Sequence, residues 1–350
     1  MMTTPQELAA SINKVMGEGT VRLASDPELV VTHLPTGILP MDVLLEGGLP
    51  RGRFTEIFGD YSTLKSYIGY RAIAETQVMG GVCALVDTEH AFDPEWASEL
   101  GVDVDDLVYQ TPITGELAVD VTEALIRQKV HLVVWDSVAA TLPQAERDKR
   151  AHGENVQPAR LAALMSQAMR KLTAANSKTA VLMINQTRIN VGQMFGSPEA
   201  VPGGKALPFY ASYRIALRKS TRLTRPVKVW DGYKSITVKE TYGQKIRATV
   251  EKSKLSRPFR DVYFVYDLGR GEVDEVGFMI AHGLEIGAVI REGNTWWIKG
   301  SKKKVIGASN FQEMVEGTPR AKVRLRKMIL DFLGKSKLHN NEDETKKEKS

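Results

Sequence analysis

At 350 residues the chain is long enough for about two domains, or one large domain with attachments. A composition of 43% hydrophobic and 25% charged residues excludes collagen-like, mucin-like and wholly disordered chains, and a net charge of +5 does not by itself argue for a nucleic-acid partner. The most apolar runs, Leu132 to Trp135 and Val181 to Ile184, fall far short of the ~20 residues of a membrane-spanning helix, so no membrane association is expected.

The N-terminus carries Glu7, Glu18 and Asp26 and has no apolar core, unlike a secretory or transit peptide. Cys83 is the sole cysteine, which excludes an intrachain disulfide; its apolar neighbours suggest a buried, inert thiol. Both features point to a cytoplasmic protein. Thr4, Pro5 and Glu7 form a helix start with a capping box, and Leu8, Ile12, Val15 and Met16 make one apolar face. So short an arm must pack on the rest of the chain or on a neighbouring copy, and the sequence leaves both open.

From Arg53 onward, short apolar runs alternate with helical segments, the pattern of an α/β domain with a mostly parallel central sheet. Strands are expected at Phe54 to Phe58, Val82 to Asp87, Leu132 to Asp136 and Val181 to Asn185. Helices are expected at Lys65 to Met79, Gly115 to Lys129 and Pro158 to Ala174. Segments such as Tyr213 to Leu217 and Ile246 to Val250 read as antiparallel strands extending the sheet. A Gly-rich turn at Asp267 to Gly271 marks a boundary. The domain reading is therefore an N-terminal helix and linker over 1–34, a core over 35–268, a small α+β module over 269–333, and a disordered polar tail over 334–350.

The segment Gly59-Asp60-Tyr61-Ser62-Thr63-Leu64-Lys65-Ser66 follows a strand and opens a helix, where a phosphate-binding loop belongs. Backbone N–H groups would hold phosphates, Lys65 would reach the β- and γ-phosphates, and Ser66 would bind Mg²⁺. An ordinary strand-to-helix turn with a solvated lysine reads equally well from this motif alone. Asp136 ends an apolar strand, either as a carboxylate beside the metal or as the cap of the next turn. Glu89, in Asp87-Thr88-Glu89-His90, offers a base for the attacking water or belongs to a surface turn.

Taken with Pro35-Thr36-Gly37, Gly47-Gly48-Leu49-Pro50, Met165 to Leu172, Ile184-Asn185-Gln186, Met194-Phe195-Gly196, Gly203-Gly204 and Phe209-Tyr210-Ala211-Ser212, these segments resemble the bacterial-type RecA recombinases. The resemblance runs to about Leu333 and suits a divergent, phage- or plasmid-borne relative. It implies a RecA-type P-loop ATPase core, ATP and Mg²⁺, and a helical homo-oligomeric filament on single-stranded DNA that pairs with homologous duplex DNA in recombination and repair. It further implies that Lys65 and Ser66 bind phosphate and metal, that Asp136 supports the metal through water, and that Glu89 activates water. Asp93 and Trp96 would hold the adenine, and Gln186 would sense the γ-phosphate. Lys252 and Lys254 would act on a neighbour's ATP.

The resemblance also makes Arg188 to Lys205 a DNA-contacting loop, with Arg188, Phe195, Gly203 and Gly204 as contacts and Ser166 and Arg170 adding others from the preceding helix. Independently, the segment from Arg214 to Arg260 is strongly basic, which suits a polyanion or the acidic surface of another protomer, although a solvated face accounts for part of it. Leu64 stands where the family's loop has glycine, which bears on the rate of hydrolysis, and the tail is less uniformly acidic than is typical. The leading alternative is a non-hydrolysing, nucleotide-dependent filament that protects or anneals single strands. A helicase- or clock-type relative is disfavoured by the loop after Gln186 and by the Lys252/Lys254 segment.

Overall fold

The apolar runs of the sequence become the inner strands of one nine-stranded sheet. The computed structural model of the protein describes residues 4–147, 158–189, 199–230 and 232–347, except for the side chains of 158, 189, 199 and 334–347. In chain order the strands are β1 (Phe54–Gly59), β2 (Cys83–Asp87), β3 (Leu107–Gln110), β4 (Leu132–Asp136), β5 (Ala180–Gln186), β6 (Tyr213–Trp230), β7 (Ser235–Ser253), β8 (Asp261–Asp267) and β9 (Glu272–Val273). Their order across the sheet is β9-β8-β7-β6-β1-β5-β4-β2-β3. The six strands from β6 to β3 run parallel, and β7, β8 and β9 add antiparallel partners at one edge.

The inner strands β1, β2 and β4 are buried along their whole length because helices cover both faces, as parallel sheets require. One apolar cluster gathers Ile57, Ile68, Ile73, Leu85, Val134 and Ile184; a second, on the opposite face, gathers Phe54, Val133, Trp135, Met165, Met169 and Met183. The helices Lys65–Val78, Gly115–Arg127 and Pro158–Ala175 end within two residues of their expected limits. Cys83 is fully buried, and burial pushes its thiol up to about 12.

Tyr213 to Leu217 departs from expectation. It pairs parallel with β1, Tyr213 facing Thr55 and Leu217 facing Gly59, and antiparallel only with β7 on its other side. The chain leaves β5 and returns through the short helix Ala206–Tyr210, a crossover that brings β6 in with the same direction as β1. Both hairpin strands also run well beyond their expected limits, to 18 and 19 residues.

The Gly-rich turn after Asp267 lies inside the sheet as the β8–β9 hairpin, with Tyr266 opposite Val273. The helix Glu275–Glu285, a three-stranded sheet (Val289–Glu292, Thr295–Ile298, Val305–Ile306) and the helices Ala308–Gly317 and Pro319–Lys347 follow. Their core of Met279, Trp296, Phe311, Leu325 and Ile329 also takes in Leu39 and Val43 from the helix Leu39–Leu44, so the module and the main body share one apolar seam. The tail expected to be disordered from Gly334 instead continues this last helix in its backbone as far as Lys347, with no Gly or Pro after Gly334 to break it; its side chains lie outside the described residues.

At the other end, Thr4 and Glu7 form the capping box of the helix Pro5–Met16: Glu7 N–H donates to Thr4 Oγ1 at 3.2 Å, and Thr4 N–H to Glu7 Oε2 at 2.8 Å. Its apolar face is open to solvent at Leu8, Val15 and Met16. Among the described residues no helix is long and apolar enough to cross a membrane.

Candidate nucleotide site and DNA-contacting loop

The loop 59–66 grows out of β1 at a point where only glycine fits: a Cβ on Gly59 would lie 2.3 Å from the carbonyl oxygen of Leu217 on β6. Asp60 to Thr63 then turn the chain into the helix Lys65–Val78. Thr63 is buried and donates through Oγ1 to the carbonyl of Asp60 at 2.8 Å, Tyr61 N–H donates to Asp60 Oδ1 at 2.8 Å, and Ser62 has φ of 54°. Leu64 caps the helix in the left-handed region, φ 70° and ψ 22°. That conformation costs an L-residue roughly 1–2 kcal/mol, but the leucine side chain is half-buried against the main core.

Lys65 Nζ curls back over the loop and donates to the carbonyls of Asp60 at 2.7 Å and Gly59 at 3.1 Å. Burial lowers its pKa, while Asp136, Glu89 and Asp60 oppose the shift. Ser66 Oγ donates to Asp136 Oδ2 at 2.6 Å, joining the loop to the end of β4. Burial raises the Asp136 carboxyl to about 6; the Ser66 bond works against that shift, and the charges of Glu89 and Asp87 add to it.

Glu89 sits beside this pair on the turn after β2. Its Oε1 accepts from Gln186 Nε2 at 2.6 Å and from Ser137 Oγ at 2.5 Å. The turn is held from below, since Asp87 accepts from the N–H groups of Glu89, Ala91 and Phe92 at 2.9–3.0 Å and from the Tyr109 hydroxyl at 3.2 Å. Farther along, Asp93 Oδ1 caps the helix Pro94–Glu99 by accepting from Glu95 and Trp96 N–H at 3.0 and 3.3 Å, and the Trp96 ring packs edge-on to Tyr70. Both residues stand at the helix start nearest the Glu89 turn.

Beyond Gln186, Arg188 is exposed and pairs with Ala200 in a two-residue ladder, so the expected irregular loop has a short antiparallel base. Phe195 lies outside the described residues. Gly203 and Gly204 have φ of 93° and 72°, and a Cβ on them would meet Val138 at 3.0 Å and Ala162 at 2.7 Å. Their glycine requirement is therefore met by protein packing as well as by the turn. Ser166 and Arg170 share one face of the helix Pro158–Ala175; Arg170 is exposed and donates from Nε to the Ser166 carbonyl at 3.3 Å.

A buried polar connection ties this loop to the sheet. Asn185 Nδ2 donates to Glu56 Oε1 at 3.1 Å and to the Pro202 carbonyl at 3.0 Å, and Glu56 pairs with Arg214 at 2.5 Å. Lys252 and Lys254 lie apart from the loop of Lys65. Lys252 Nζ donates to the carbonyls of Pro208, Phe209 and Ala211 at 2.6–3.1 Å, and Lys254 Nζ donates to Tyr210 at 3.3 Å. Both ammonium groups thus cap the C-terminus of the helix Ala206–Tyr210, beside the exposed Phe209 ring.

Comparison with known proteins matches residues 6–272 to the RecA N-terminal domain family. The chain belongs to the RecA family. It is 41% identical over 342 residues to Protein RecA of Thermus aquaticus, covering 95% of each chain. It is 40% identical over 339 residues to that of Thermus thermophilus, again covering 95% of each, and 38% identical over 326 residues to that of Chloroflexus aurantiacus, covering 91% and 88%.

Within this RecA-family site, sequence reasoning missed Ser137, Asp87 and Lys219. Ser137 and Asp87 were legible only as polar residues at strand ends. Lys219 is one of many cations in the basic segment, yet its Nζ lies 3.6 Å from Asp60 Oδ2 and 3.9 Å from the centre of the Tyr61 ring. The donor set suits Mg²⁺: a hydroxyl and a carboxylate, both hard oxygen ligands, lie within hydrogen-bond distance at the head of a helix.

Proposed function

We propose that this RecA-family protein is a DNA-dependent ATPase that forms filaments on single-stranded DNA and carries out homologous pairing and strand exchange. The observation that carries the reading is the bond from Gln186 to Glu89, which joins the strand leading into the DNA loop to the carboxylate beside Lys65, Ser66 and Asp136. Lys65 and the loop N–H groups hold the phosphates of ATP. Ser66 and, through water, Asp136 hold Mg²⁺, which when bound offsets the negative charge of the phosphates.

Both bonds to Glu89 fall on Oε1, which leaves Oε2 to accept from the attacking water and orient it. A γ-phosphate that draws the Gln186 amide away alters the strand end at Asn185 and Gln186, and with it the Pro202 anchor of the loop. Asp93 and Trp96 hold the adenine. Arg188, Phe195, Ser166, Arg170 and the N–H groups of Gly203 and Gly204 contact the single strand. The exposed face of the helix Pro5–Met16 docks on a neighbouring copy, and Lys252 and Lys254 leave their helix carbonyls to meet the neighbour's ATP.

A second reading, a filament that binds nucleotide without hydrolysing it, draws on Leu64 in its left-handed position. Steady-state phosphate release with and without single-stranded DNA separates the two. DNA-stimulated turnover supports the recombinase; nucleotide-dependent DNA binding with no turnover supports the second reading.

A further inference from the structure

The β6–β7 hairpin extends far past the sheet that anchors it. β1 pairs with β6 only from Tyr213 to Leu217, and β8 pairs with β7 only from Gly243 to Thr249. From Thr224 to Thr241 the two strands pair with each other alone. A bare two-stranded ribbon is marginal in water, so this arm is expected to work against a partner.

Its two faces differ. Residues directly opposite in an antiparallel pair share a face, and alternate residues along a strand share it too. One face carries Val227 opposite Val238, Val229 opposite Ile236, and the Arg225–Glu240 ion pair at 2.8 Å. The other carries Pro226 opposite Lys239, Lys228 opposite Thr237, and Trp230 opposite Ser235, with Arg222 continuing the row toward the sheet. Arg222, Lys228 and Lys239 are exposed and make no ion pair among the described residues, and Trp230 is 67% exposed.

Nearer the sheet most basic residues are engaged within the chain: Arg214 pairs with Glu56, Arg218 with Glu251, Lys219 with Asp60 and Arg247 with Asp261, while Lys245 lies over the Tyr263 ring and Lys252 and Lys254 hold helix carbonyls. On the arm itself Arg222, Lys228 and Lys239 lie together on one face with neither an acid nor a ring against them among the described residues. From residue 219 to 245 there are seven basic residues and two acidic ones.

We infer that the distal part of this hairpin is a nucleic-acid-binding arm, in which Arg222, Lys228 and Lys239 contact the phosphates of a single strand and Trp230 stacks on one of its bases. The row from Arg222 to Lys228 spans about 20 Å at strand rise, enough for several nucleotides. A single strand matches both features at once, its phosphates the row of cations and the planar face of a base the exposed indole; an acidic protein surface is separated from it by the test below. The inference goes beyond the contacts proposed for the loop after Gln186 and does not depend on ATP hydrolysis.

The test uses the full chain with Mg²⁺ and a non-hydrolysable ATP analogue, binding a labelled oligothymidylate across a salt series. Alanine at Arg222, Lys228 and Lys239 together should reduce the log–log salt slope by about 2, from roughly 0.7 for each single-strand phosphate contact. Trp230→Ala should weaken binding about 5- to 150-fold while leaving the slope in place. Val229→Thr with Val238→Thr, on the opposite face, should change neither quantity.

An unchanged slope in the folded triple variant overturns the arm, as does a variant that binds DNA normally but no longer self-assembles, which would make another copy the partner. Arg188→Ala, measured alongside, reports on the loop alone. Its failure with a positive arm result would reject the loop contact and leave the arm standing.

Discussion

Gln186 and Glu89, 97 positions apart in the chain, meet at 2.6 Å from amide nitrogen to carboxylate oxygen. Gln186 ends β5 and Glu89 follows β2, with β4 between them in the sheet, so the contact exists only because the parallel strands bring their C-terminal ends to one edge. Open parallel sheets collect ligand sites there.

Loss of the carboxylate charge should separate binding from chemistry. Glu89→Gln is expected to bind Mg-ATP with little change and to lose about 10²- to 10⁴-fold in turnover, the range for removing a positioned base. Gln186→Ala leaves that base in place, so its DNA-independent turnover should persist while DNA stimulation falls about tenfold or more. Steady-state and single-turnover rates, with and without DNA, check both; equal stimulation in wild type and Gln186→Ala would break the proposed link.

Leu64 sets two effects against each other. A left-handed leucine costs roughly 1–2 kcal/mol that glycine would not incur, but its half-buried side chain packs on the core. Leu64→Gly should tighten ATP binding or speed turnover where strain dominates. Weaker binding together with a lower melting temperature would identify the leucine as a packing element of this loop and remove the strain argument.

With Asp136 as the proposed metal support, the burial that raises its carboxyl to about 6 should make Mg-nucleotide binding depend on pH. Mg²⁺ takes the charged form, so affinity for Mg-nucleotide is full above that value and falls as pH drops through it, by up to about tenfold per unit. The terminal phosphate of the nucleotide titrates in the same region, so the quantity to measure is the difference between wild type and Asp136→Asn. A difference that stays flat from pH 7 to pH 5 would count against Asp136 as a metal support.

Lys252 and Lys254 hold helix carbonyls within their own chain, whereas their proposed role lies across an interface. Lys252→Ala should bind nucleotide as a monomer and fail to hydrolyse it in filaments. Mixed with Glu89→Gln, which damages the other side of the interface, it should regain part of the activity wherever two intact sides meet. With mixing confirmed by labelled subunits, an absence of rescue would return both lysines to a helix-capping role.

Much of the inner architecture was written locally. The short apolar runs ending at Asp87, Asp136 and Asn185 specify buried strands, and the spacing of Leu161, Leu164, Met165, Ala168, Met169 and Leu172 specifies a helix, because side-chain periodicity follows directly from backbone geometry. The Thr4–Glu7 cap was legible for the same reason: its partners are three residues apart.

Long-range pairing decided the rest. The direction of Tyr213 to Leu217 depends on which strand it meets, and nothing in five alternating residues encodes that choice. The union of Ser66 with Asp136, the placement of Ser137 against Glu89, and the entry of Leu39 and Val43 into the C-terminal core all join distant positions in the chain. Local pattern sets the type of the inner strands and helices and the residues at their ends, but not the full length of β6 and β7 or the strand base of the loop after Gln186. Only the packed sheet decided which of those ends meet, since strand order and direction are selected by burial of the whole core rather than by any one segment's pattern.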